Sequence, residues 1–94
     1  MILKLQKLEQ LINSELSSKI HNSSINNQEL LIEISEDNLV DVVQFLKLND
    51  NCKFKQLIDI AGVDYPENMQ RFKMVYLFLS HEFNQRIILS YFIN

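Results

Sequence analysis

The side chains that could do chemistry are few and scattered. His21, His81 and Cys52 lie far apart, in three different expected connections, and no two have the close spacing of a zinc-ligand pair. They read as exposed loop residues. Cys52 with a distant histidine is the minimum for a thiol enzyme, but nothing around it suggests an electropositive or helix-start environment. A small, semi-buried thiol beside a helix is expected. Among the carboxylates, Asp59 and Asp64 are five positions apart and fall on opposite faces of any regular strand, so they make no general acid/base pair. Asp59 reads as a carboxylate on the less buried face, paired with a lysine or with Arg71 across the sheet. "DYP" (Asp64-Tyr65-Pro66) reads either as strand termination or as a docking corner. Tyr76 and Tyr91, with the stripe Phe72, Met74 and Phe78, stand at sheet spacing and belong to a core or an interface. Gly62 and Pro66 are the only glycine and proline, which excludes a phosphate-cradling glycine loop and tight glycine turns.

The elements that must position these residues follow from periodicity. Leu5, Leu8, Leu11, Ile12 and Leu16 recur at spacings of three and four, opposite Lys4, Lys7, Glu9, Gln10 and Asn13. That predicts an amphipathic helix over about residues 3–18. "HNSSINNQ" (21–28) is polar and reads as a loop. Alternation in "ELLIEIS" (29–35) predicts a strand burying Leu30, Ile32 and Ile34. Ser35 stands where its hydroxyl could cap a helix whose first turn is acidic. Leu39, Val42, Val43 and Leu46 stripe that helix to about Leu48, and "NDN" (49–51) ends it. Residues 54–61 fit a helical stripe or a strand; a strand over 58–64, after a helical turn, is the preferred reading because Val63, Tyr65 and Pro66 lead out extended. Strands over Phe72–Ser80 and 86–94, joined by a "HEFNQ" hairpin, complete the chain.

The result is one α+β domain over residues 1–94, in the order α-β-α-β-β-β, with two helices packed on a mostly antiparallel sheet. Its 94 residues, 47% hydrophobic and 22% charged, match a single globular domain. A net charge of −3 with dispersed basic residues argues against a nucleic-acid partner. No apolar run approaches the roughly 18 residues of a membrane span, so no direct membrane insertion is expected, and the first 16 residues do not read as a signal peptide. One cysteine cannot form an internal disulfide, which fits a reducing compartment. The last strand is apolar on both faces. Standing at a sheet edge it would invite aggregation, so oligomerisation, docking or further chain is expected to cover it.

"FKQLIDIAGVDYP" followed by "RFKMVYLFLS" resembles the front part of the 30-kilodalton subunit, also called the C subunit, of the proton-pumping NADH:quinone oxidoreductase, respiratory complex I. Phe54, Leu57, Asp59, Ile60, Val63, Asp64, Tyr65, Pro66, Arg71, Phe72, Val75, Tyr76, Leu79 and Ser80 carry the likeness. The family's Glu-Arg-Glu block and its later Asp and Gly-His-Pro have no counterpart before Asn94, so the likeness is to an N-terminal domain. The resemblance implies a non-catalytic structural subunit of the hydrophilic arm. It would hold no cofactor itself, NADH, FMN, iron–sulfur clusters and quinone belonging to partner subunits. It would brace the subunits around the terminal cluster and the quinone site, peripheral on the cytoplasmic side of a bacterial inner membrane or on the mitochondrial matrix side. Asp59, Asp64, Tyr65, Pro66, Arg71 and Tyr76 are the expected contacts with neighbouring subunits. A free-standing domain that self-associates or binds partners by sheet-edge addition is the competing reading.

Overall fold

A computed structural model describes the backbone of residues 2–93 and the side chains of residues 4–93. Helix α1 (Ile2–Glu15) is followed by strands β1 (Ile20–Asn26) and β2 (Glu29–Ile34), a 3₁₀ turn (Glu36–Asn38), helix α2 (Leu39–Leu48), and strands β3 (Gln56–Asp64), β4 (Phe72–Ser80) and β5 (Gln85–Ile93). The five strands form one sheet in the order β1-β2-β5-β4-β3. Among the described residues only β2 and β5 run parallel; the other pairs are antiparallel. The α+β class and the mostly antiparallel sheet stand as expected.

Both helices lie on one side of the sheet. Leu5, Leu8, Ile12 and Leu16 of the first helix, with Val42 and Leu46 of the second, form the expected stripes and are buried. They meet Leu30, Ile32, Ile34, Ile87, Leu89 and Tyr91, which the register of β2 and β5 places on one face. Phe54 and Cys52 close this core at the exit of α2, where the Phe54 N–H donates to the Leu46 carbonyl at 2.8 Å. Ser35 sits in extended backbone before the 3₁₀ turn but makes no side-chain cap. Its carbonyl instead accepts the Asn38 N–H at 3.0 Å, so the acidic first turn and α2 start through a backbone bond rather than a hydroxyl.

Three differences from the sequence reading have physical causes. The 21–28 segment is not a loop: most of it is β1, and Asn27 and Gln28, both left-handed (φ 51° and 64°), make the two-residue turn into β2. The turn works without glycine. The strand shows no apolar alternation because Ser23, facing the helices, donates to Glu9 Oε2 at 2.8 Å and accepts from Asn13 Nδ2 at 3.1 Å. Residues 56–64 form one strand rather than a helical turn plus strand. Finally, β5 is not an edge. It lies between β2 and β4, and the strand left at the edge is β3.

Gln in left-handed backbone crowds its Cβ against the carbonyl, a cost of about 1–2 kcal/mol that glycine avoids at some loss of chain entropy. Gln28→Gly is therefore expected to stabilise the protein by about 0.5–1 kcal/mol. A melting temperature raised by a few degrees would show it, and an unchanged or lower one would mean the strain is relieved elsewhere.

Candidate docking surface

The polar residues singled out in the sequence separate into a corner, a mid-strand carboxylate and an internal tyrosine. At the corner, the β3–β4 ladder ends where the Tyr65 N–H donates to the Arg71 carbonyl at 2.7 Å. The Arg71 guanidinium grips Asp64 through two bonds, Nε to Oδ1 at 2.8 Å and Nη2 to Oδ2 at 3.1 Å. That carboxylate raises the Arg71 pKa and keeps the group charged, while its cationic carbon stands 5.4 Å from the Phe72 ring centre. Tyr65 turns to the face opposite the helices and packs on Phe92, ring centres 5.9 Å apart. Pro66 starts the exposed turn that ends the strand. Asp64, Tyr65, Pro66 and Arg71 thus come together.

Asp59 does not join them. It faces Leu77 in β4 just past a β-bulge that inserts Ile58, and among the described residues it forms no ion pair. The expected partnership of Asp59 with a lysine or Arg71 does not form among the described residues; Arg71 pairs with Asp64, because Asp64 sits beside the turn that carries Arg71. Tyr76 is also separate. It stands half-buried on the helix side of β4, its hydroxyl 3.0 Å from that of Tyr91, with the rings edge to face.

The sequence reading missed the exposed apolar residues that run from this corner along β3. Leu57, Ile58, Ile60, Met69 and Phe72 are exposed, Ile60 at 49% and Phe72 at 51%. All but one position of β3 is exposed, so the strand stands clear of the helical layer on both faces. Apolar runs with no alternation were the available signal, but by themselves they fit a helical stripe, a core strand or an interface. On the face away from the helices, Leu31, Val75, Ile88 and Tyr65 line a cleft of about 330 Å³ with Lys73, whose ammonium reaches Glu33 Oε1 at 3.2 Å.

Among the described residues no group of three His, Cys, Asp or Glu side chains could hold a metal ion. His21 lies exposed in β1, not in a loop, and His81 pairs with Gln56 at the β4–β5 turn. Cys52 is fully buried, and burial pushes its thiol up to about 11. Relative to the ordinary value of 9.0, that cuts the thiolate fraction at neutral pH about a hundredfold. Labelling by a thiol reagent is expected to slow at least that much against the unfolded chain; equal rates would contradict the buried placement.

Tyr91 behaves alike. The hydrogen bond its hydroxyl shares with that of Tyr76, and then burial, hold its phenol up to about 12. Both groups are acids whose folded pKa is raised, so the unfolded chain loses its proton first. Their stabilisation is complete below about pH 9 for Cys52 and 10 for Tyr91, and is lost as pH climbs toward 11 and 12. Denaturation midpoints measured from pH 8 to 12 should fall across that window. Tyr76→Phe, which removes the larger cause at Tyr91, should flatten its upper part.

Comparison with known proteins is decisive on kinship. The sequence profile of the family described as "Respiratory-chain NADH dehydrogenase, 30 Kd subunit" matches residues 32–94. The chain belongs to this family. The C subunit of the NADH-quinone oxidoreductase of Ruegeria pomeroyi is 51% identical over 59 residues, which cover 63% of this chain and 30% of that protein. Its counterpart in Dinoroseobacter shibae is 42% identical over 83 residues, 88% of this chain and 39% of the relative. The NADH-ubiquinone oxidoreductase subunit 9 of Reclinomonas americana is 39% identical over 66 residues, 70% of this chain and 32% of the relative. The chain thus spans less than half the length of the curated relatives it matches. Among solved structures, a chain of the membrane-bound sulfane sulfur reductase, an archaeal respiratory membrane complex, superposes with a TM-score of 0.72 at 18% identity. The superposition covers 93% of this chain and 50% of the other, and shows a shared fold. No described helix is long and apolar enough to cross a membrane.

Proposed function

We propose that this family member acts as a non-catalytic structural subunit in the hydrophilic arm of a proton-translocating NADH:quinone oxidoreductase. It braces the subunits around the terminal iron–sulfur cluster and the quinone site and so supports electron transfer from NADH to quinone without holding a cofactor. NADH, FMN, the clusters and quinone belong to its partners. The chain sits peripherally, on the cytoplasmic side of a bacterial inner membrane or the matrix side of a mitochondrial one. The observation that carries the reading is the exposed apolar surface of β3 and the start of β4, in a chain of this family. Apolar side chains exposed along a whole strand and up to an ion-paired corner suit a permanent contact with a neighbour better than a free surface.

A second reading has one observation in its favour: the open edge of β3 could pair with a second copy. Light scattering after size exclusion separates the two. A chain that is monomeric alone and enters a defined heterocomplex on mixing with arm subunits supports the proposal. A stable homodimer indifferent to those subunits overturns it.

A further inference from the structure

We draw no further inference here: the strongest candidate, the open β3 edge of the sheet with Leu57, Ile58 and Ile60 exposed along it, carries nothing because nothing in the structure shows what covers it.

Discussion

Replacing Phe54 with alanine is expected to cost about 3–5 kcal/mol, the usual penalty for truncating a buried aromatic. Phe54 is 2% exposed and the largest of the fully buried side chains. Its backbone is pinned as well as its ring: the preceding Lys53 is left-handed (φ 51°), and the Phe54 N–H closes onto α2 at Leu46. The cavity therefore cannot collapse by a small shift of the loop, because that loop is held by Asn49, whose carbonyl accepts both Cys52 N–H (3.0 Å) and Lys53 N–H (3.1 Å). A domain of this size has about 5–14 kcal/mol of total stability at about 0.05–0.15 kcal/mol per residue. The variant should be largely unfolded at physiological temperature, or melt far below the parent. A shift of only a few degrees would mean that the core between α2 and the sheet is not centred on this ring.

The second large effect falls on assembly rather than on folding. Asp64→Ala combined with Tyr65→Ala removes the Arg71 grip and the ring on Phe92 but touches no fully buried side chain. The melting temperature should move little, since exposed ion pairs add little to stability. Incorporation into the respiratory complex, read as the share of tagged chain that comigrates on a native gel, should fall about tenfold. A central contact that loses a charged and an aromatic group together gives changes of that order. Unchanged incorporation would leave the corner as no more than a strand stop.

The elements that were legible in the sequence are those whose burial follows one period. The stripes of α1 and α2 and the alternation of β2 announce their buried faces directly, because each element has one covered side. β1 was illegible for the opposite reason: its helix-facing position Ser23 is satisfied by hydrogen bonds to Glu9 and Asn13 instead of by apolar packing, and its turn uses Asn-Gln in place of Asn-Gly. Missing that strand also hid the position of β5. Without β1 and the parallel β2–β5 pairing, the last strand looks like an edge, and its apolar residues look unprotected. The apolarity that was assigned to an exposed β5 belongs on the surface to β3, whose sequence cannot distinguish a covered strand from one awaiting a neighbour.

The candidate site was legible residue by residue and not as an arrangement. Asp64, Tyr65, Pro66 and Arg71 converge because a turn of six residues folds Arg71 back beside Asp64. Asp59 falls outside the group because it lies five residues back along β3, opposite Leu77.

The most direct measurement of the central claim is native electrophoresis of detergent-solubilised membranes from cells whose copy of this chain carries an affinity tag. The account predicts that the tag comigrates with the band that oxidises NADH, and that removing the chain lowers the amount of that band. A tag found only as a free monomer or homodimer, with the NADH-oxidising band intact in its absence, would contradict it.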